Sequence, residues 1–253
     1  MSENGIKPYV RLVKSSELDV LATIQRRAFI DDPECNYFGS VDQPLSDEVD
    51  SPGKQHLETF FRFLTKACLR CGARITVAVV PSSESAGEDS EEKICASTIW
   101  MPPNKRISLG SVWALVRSGV FATVKGWGLN GLIRVGVEYG EVSGRALKEA
   151  YATRGLKKQS PDSSWYLQLA CTDPHEQGKG YMSLLCREAF AHAPSSIFTL
   201  EATTSHSRDR YTHFGFELFK EVRMGVNKVN KDGLPAKGKE AEGVPIYSMV
   251  KWE

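Results

Sequence analysis

The sequence has no uninterrupted apolar run approaching the roughly 20 residues that a membrane-spanning helix needs,. It also has no excess of either charge: 32 basic against 31 acidic side chains leave a formal net charge of +1. That balance supplies no overall field for nucleic acid or an anionic membrane surface, so neither is expected as a partner. The first residues, MSENGIKPYV, lack the charged start and apolar stretch of a secretory signal, and their Glu, Gly and Pro speak against an amphipathic targeting helix,. Cysteine is sparse, six in 253 residues, and Cys68-x-x-Cys71 has no second C-x-x-C to complete a zinc site,. Cys171 and Cys186 sit in apolar runs as small core residues. A reducing compartment, the cytoplasm, is the expectation. No Gly-Lys-Ser/Thr closes a glycine-rich loop at P-loop spacing, which excludes that class of nucleotide enzyme. No repeat and no domain boundary interrupts the chain, so residues 1–253 read as one domain.

What is present alternates between strand and helix. Tyr9 to Val13 reads as a strand. Ser15 and Ser16 precede an amphipathic helix carrying Leu18, Leu21, Ala22, Ala28 and Phe29, and Ser16-x-x-Asp19 has the form of a capping box. Asp31-Asp32-Pro33 closes it, and 36–53 reads as a loop. His56 to Cys71 carries a second apolar stripe that stops at Gly72. Ala73 to Val80 and Ile94 to Met101 read as strands around a polar, acidic loop at 81–93. Residues 104–160 form a block of glycine-interrupted helices expected to cover one face of a sheet and, on one of two open readings, to line a substrate pocket. Four further strands follow, at Trp165 to Cys171, Ser196 to Ala202, Phe216 to Val222 and Pro245 to Lys251. Helices at Tyr181 to His192 and Arg208 to Phe214 separate the first three of them. The loops at 81–93 and 227–243 are expected to be flexible. This order predicts an α/β (α+β) domain with helices on both faces of a mixed sheet.

One stretch concentrates the chemistry. An apolar run ends at Cys171, a turn on Thr172, Asp173 and Pro174 follows, and Gln177-Gly178-Lys179-Gly180 leads into the helix at Tyr181. A strand, a two-glycine loop and a helix start place unpartnered N–H groups at the positive end of a helix dipole, where phosphates bind. The same pattern also occurs as a plain strand-to-helix connection.

These residues resemble the GNAT superfamily of N-acetyltransferases. Its acetyl-CoA motif, Arg/Gln-x-x-Gly-x-Gly/Ala, is matched by Gln177-Gly178-Lys179-Gly180-Tyr181-Met182, and its Tyr-x-x-x-Gly-Phe signature by Tyr211 to Phe216. Asp32-Pro33, Trp100-Met-Pro-Pro and Pro245-Ile-Tyr-Ser-Met are similar to the subgroup containing puromycin N-acetyltransferase. The resemblance is strong over 165–225, weaker over 9–103 and nearly absent over 104–160. It implies a single GNAT-like domain with a mixed, mostly antiparallel central sheet and a helical insertion before the cofactor-binding strand.

The resemblance further implies an acetyl-CoA-dependent N-acetyltransferase acting on a small-molecule amine by direct transfer, as a monomer or homodimer. A non-catalytic CoA-binding sensor and an O-acyltransferase are the alternatives. The pyrophosphate would lie on the backbone from Gln177 to Met182, with Lys179 either a phosphate contact or a solvated side chain. The pantetheine arm would pair with the backbone of Ala170, Cys171 and Thr172 like an added strand. Tyr211 matches the tyrosine that returns a proton to the coenzyme A thiolate, the other reading being an aromatic packed beneath the cofactor tail. Glu201 is the candidate base, against a structural acceptor. Two positions depart from the pattern. Met182 stands where the family has Gly or Ala, its side chain assignable to the helix's apolar stripe, and Ser207 replaces an Asn that contacts the cofactor.

Overall fold

The computed structural model describes residues 7–81, 92–107 and 109–252. Its strands are β1 (Tyr9–Leu12), β2 (Arg74–Pro81), β3 (Glu92–Met101), β4 (Trp165–Thr172), β5 (Phe198–Ala202), β6 (Glu217–Met224) and β7 (Val244–Lys251). They form one sheet in the order β1-β2-β3-β4-β5-β7-β6. All neighbours pair antiparallel except β4 and β5, which run parallel, so the mixed, mostly antiparallel sheet is what forms. Period-two alternation divides each strand between two faces. On β2, Ile75, Val77 and Val79 enter one apolar cluster and Ala78 another. On β3, Ile99 and Met101 join the first cluster while Trp100 faces away from it.

The helices are α1 (Leu18–Ala28), α2 (Pro33–Gly39), α3 (Pro52–Arg70), α4 (Val112–Ser118), α5 (Val120–Ile133), α6 (Tyr139–Thr153), α7 (Tyr181–His192) and α8 (Ser205–His213), with a π-helical turn, Arg134–Glu138, joining α5 to α6. Leu21, Ile24, Phe38, Phe60 and Phe61 pack α1 to α3 on the first face. On the second, Leu185 of α7 meets Ala78 and Ala96, and Tyr211 of α8 and Phe214 just beyond its end pack beside Phe198, Phe216 and Met249. Burial of these aliphatic and aromatic side chains, each worth about 1.5–3 kcal/mol, is what holds the layers together.

The inserted block divides its packing. Leu147 and Ala150 of α6 meet Val250 on the sheet. In contrast α4 and α5 lie over α3, where Trp127 stacks on Phe60 at 4.2 Å. The expected cover over one sheet face is therefore supplied by α6, and α4–α5 form an outer layer on a helix.

Other local expectations change as well. Ser16 and Asp19 form no capping box. Glu17 Oε2 accepts the Lys14 N–H at 2.7 Å, and Asp19 pairs with Arg62 at 2.7 Å. Pro33 ends one helix path and opens another, because its fixed φ suits the first position of α2. Asp32 caps α2, accepting the Glu34 and Cys35 N–H groups at 2.9 and 3.1 Å, so residues 36–39 are helix rather than loop. The 227–243 segment, expected as a flexible loop, carries cross-bonds from Asn227 N–H to Ala241 O (2.8 Å) and from Gly243 N–H to Val229 O (2.9 Å), and it buries Val229 and Ala241. Most of the 81–93 loop lies outside the described residues.

Candidate active site

The register of β4 against β3 sets the site. Ala96 pairs with Thr172 and Ile99 with Leu169, but Trp100 pairs with Leu167, so Gln168 is an extra residue bulged out of the ladder. One extra residue reverses the strand's parity. Tyr166 and Leu169 accordingly share the first face, while Leu167 points to the second. The backbone groups reverse too. Trp165 N–H donates to Ile197 O on the β5 side at 2.9 Å, whereas Asp173 N–H donates to Cys95 O of β3 at 2.8 Å. Stepping back from Asp173 by twos, Cys171 and Leu169 bond β3, and the backbone groups of Ala170 and Thr172 turn toward β5. But β5 pairs with β4 only across Trp165 to Leu167. Past that point the strands part, and Ala170 and Thr172 face a gap. Of the three strand residues expected at the cofactor arm, Cys171 differs, because its backbone is committed to β3. Its thiol lies buried 3.3 Å from Ser97 Oγ, and burial pushes it up to about 11, so it stays a thiol at neutral pH.

The end of β4 is fixed by Asp173, which is buried and pairs with Arg27 of α1 at 2.7 Å. Beyond it, Gly178 and Gly180 have φ of +80° and +82°, the left-handed region that side chains disfavour,. A β carbon at either would meet nothing within 4 Å, so this side of the loop is open. Gly180 caps α7 without any side-chain bond, which leaves the Tyr181, Met182 and Ser183 N–H groups without helical partners,. Open space, exposed glycines and free donors at a helix's positive end together fit a phosphate. Lys179 is engaged nearby: its Nζ lies 2.7 Å from one Glu176 oxygen, and Lys93 Nζ lies 2.6 Å from the other. Those two ammonium groups hold the Glu176 carboxyl down at about 2. Met182 does not follow the apolar stripe. The helix buries Tyr181, Leu185, Cys186 and Ala189 instead, and Met182 is half-buried outside the core clusters. Ser207 is taken up in the start of α8, where Thr204 Oγ1 accepts its N–H at 3.1 Å and donates to its hydroxyl at 2.9 Å.

Tyr211 and Glu201 flank the gap from opposite faces. Tyr211 packs edge-on against Phe216, with centroids 5.9 Å apart, within the α7–α8 cluster. Its hydroxyl makes no hydrogen bond among the described residues, and burial, with Cys186 and Cys171 near, raises it far above the usual phenol range. Glu201 sits on β5 between Leu200 and Ala202, which both face the second side, so it belongs to the first,. There the Tyr139 hydroxyl donates to Glu201 Oε2 at 3.1 Å and lies 2.9 Å from the Tyr166 hydroxyl. The Arg106 guanidinium stacks 4.9 Å over the Tyr166 ring. Glu201 Oε1 is buried with no hydrogen bond among the described residues, and burial pushes this carboxyl up against the pull of Tyr166, Tyr139 and Arg106.

The structure adds Glu34 to this group, a residue that reading the sequence missed. Its Oε1 is likewise buried and makes no hydrogen bond among the described residues. Burial drives its carboxyl well above the carboxylate range, helped by the charges of Asp32 and Glu201. Asp32 is occupied by capping α2 and by the Thr203 hydroxyl, which donates to it at 2.6 Å. Like charges held near one another oppose each other's ionisation. Glu201 has phenol donors and a guanidinium that favour its charged form while Glu34 has none among the described residues, so of the two Glu201 is the better placed to carry the negative charge,. Pro33 at the head of a helix was the one signal in the sequence that could have found Glu34. Tyr139 lay in the least legible block.

Neither a protein-family model nor a curated protein sequence matches the chain. Solved structures do. One is a histone acetyltransferase HPA2 and related acetyltransferase from Corynebacterium glutamicum, 20% identical over 96% of this chain and 95% of that one, with a TM-score of 0.55. Another is arylalkylamine N-acetyltransferase 2 from Aedes aegypti, 12% identical over 97% and 99% of the two chains, with a TM-score of 0.52. At these identities the likeness is one of fold.

Proposed function

Proceeding from a chain with the GNAT acetyltransferase fold, we propose that it transfers an acetyl group directly from acetyl-CoA to the nitrogen of a small-molecule amine. The observation that carries this reading is the parting of β4 from β5 beside two left-handed glycines at an uncapped helix start. The mosquito neighbour, by its name, acts on arylalkylamines, which are acceptors of the proposed size.

In this reading the N–H groups around Gly178 to Ser183 hold the pyrophosphate, and the Ala170 and Thr172 backbone groups hold the pantetheine arm as a strand. A backbone N–H at Ala170 or Thr172 polarises the thioester carbonyl as negative charge develops on its oxygen. Glu201 takes a proton from the incoming ammonium, directly or through one water, and Tyr139 and Tyr166 orient it. The amine nitrogen then bonds to the carbonyl carbon and the carbon–sulfur bond breaks. The nitrogen, still carrying one proton more than an amide holds, gives it up to solvent, while Tyr211, on the other face, protonates the thiolate and regains its own proton from solvent. Glu34 contributes a second carboxyl that keeps its proton and can bond the acceptor. Cys171, a buried thiol, is not a nucleophile at neutral pH, consistent with transfer in one step,.

The test is incubation with acetyl-CoA and a panel of small amines and alcohols, following free thiol and acetylated product. Thiol release in step with an N-acetylated amine is the expected result. Acetyl-CoA that raises the melting temperature without turnover would mark a sensor, and turnover on alcohols alone an O-acyltransferase.

A further inference from the structure

The layer formed by α4 and α5 is apolar on both sides. Val120, Thr123, Trp127 and Gly131 of α5 are buried on the inner side toward α3. On the outer side, Trp113 is 78% exposed, Phe121 69% and Leu129 67%, with Val112, Ile133 and Val137 exposed beside them. Single exposed apolar residues are ordinary, but a helix pair that is apolar all round lacks a covering on one side.

The charges on this layer have one sign. From 104 to 137 the sequence has Lys105, Arg106, Arg117, Lys125 and Arg134 and no Asp or Glu. Arg106 and Arg134 are turned inward, to the Ser164 carbonyl at 3.0 Å and to the Tyr37 carbonyl. Arg117 and Lys125 are exposed among the apolar side chains, and exposed Arg70 of α3 reaches the Arg117 carbonyl at 3.3 Å. An outer face of Trp, Phe and aliphatic side chains, dotted with guanidinium and ammonium groups, matches the headgroup region of an anionic bilayer. A second copy of the chain fits less well, because two such faces would set Arg117 and Lys125 against their own kind with no carboxylate between them.

We propose that the outer face of α4–α5 docks on an anionic lipid surface, with Trp113 and Phe121 inserted at headgroup level and Arg70, Arg117 and Lys125 on lipid phosphates and carboxylates. The net charge of +1, which gave no expectation of a membrane surface, is a sum over the whole chain and averages this face away. This proposal is independent of the acetyltransferase reading.

The test is co-sedimentation of the full chain with vesicles of phosphatidylcholine alone and of phosphatidylcholine mixed with phosphatidylserine. Binding is expected only to the mixed vesicles, by at least about tenfold, and about 0.5 M salt should release it. The double variant Trp113→Glu/Phe121→Glu should lose at least about tenfold in binding, and Arg117→Glu/Lys125→Glu a similar factor. All four side chains are exposed, so melting temperatures should hold; the milder Trp113→Ser variant, read the same way, replaces either double variant that fails to fold. Absence of binding to the mixed vesicles overturns the proposal, as does binding that these substitutions leave unchanged. Self-association in sedimentation velocity, abolished by Phe121→Glu and without vesicle binding, would assign the face to a second copy instead.

Discussion

Replacing Tyr211 by Phe separates the two roles open to this residue. The ring packs on Phe216 at 5.9 Å, and the hydroxyl has no hydrogen-bond partner among the described residues. Removing it deletes no bond and keeps the ring contact, so stability should change by less than about 1 kcal/mol. For a chain of this length that is a shift of about 2–4 °C at most. A positioned general acid contributes about 10²–10⁴ in rate, or about 3–5 kcal/mol in the barrier. The variant should therefore melt with the wild type, bind acetyl-CoA equally and lose two or more orders of magnitude in kcat by the thiol-release assay, a loss of about the size given for general acids. An acetyl thioester of a more acidic thiol needs less help in departing and should recover much of that rate. Full activity in Tyr211→Phe would refute the proton role and leave Tyr211 an aromatic beneath the cofactor tail. A drop in both stability and rate would refute the claim that its hydroxyl is structurally idle.

Three further outcomes follow from the carboxylates and Met182. Glu201→Gln should lower kcat/KM by about 10²–10⁴ and erase the acid limb of the pH–rate profile. In the wild type that limb lies above the ordinary glutamate value, since burial raises Glu201 and activity needs its anion. Glu34, raised well above 4.5, keeps its proton in the fold after the unfolded chain has lost it. Stability thus falls by about 1.4 kcal/mol per pH unit between those two values. Glu34→Gln lacks this fall, so its advantage in melting temperature should widen with rising pH; a gap that stays constant or narrows would refute the assignment. Met182→Ala should cost under about 1 kcal/mol, unlike the 2–5 kcal/mol of a core methionine. It should also bind CoA more tightly by letting phosphate approach the helix start. A core-sized loss in chemical denaturation would return Met182 to the apolar stripe.

Much of the fold was legible because local signals agreed with the global arrangement. The strands at β2, β3 and β4 announce themselves as apolar runs, and the glycines at 178 and 180 mark a turn that only their backbone freedom allows. What stayed hidden depends on contacts distant in sequence. The bulge at Gln168, which decides that Ala170 and Thr172 rather than Cys171 face the gap, exists only in the register against β3. Glu34 becomes part of the site because α2 carries it toward Glu201, more than 160 residues on in the chain. Tyr139 arrives through a π-helical turn that no periodicity foretells. The α4–α5 layer was unreadable for a related reason: its apolar residues lie all around the helix, so no stripe marks an inner face.

The central claim is that the parted strands and the glycine turn hold acetyl-CoA, and a crystal structure of the chain with CoA tests it most directly. The pantetheine should run along the Ala170 and Thr172 backbone, with the pyrophosphate on the N–H groups at Gly178 to Ser183 and the sulfur between Glu201 and Tyr211. Density for CoA elsewhere on the molecule, or a gap that stays closed to it at saturating concentration, would contradict the account.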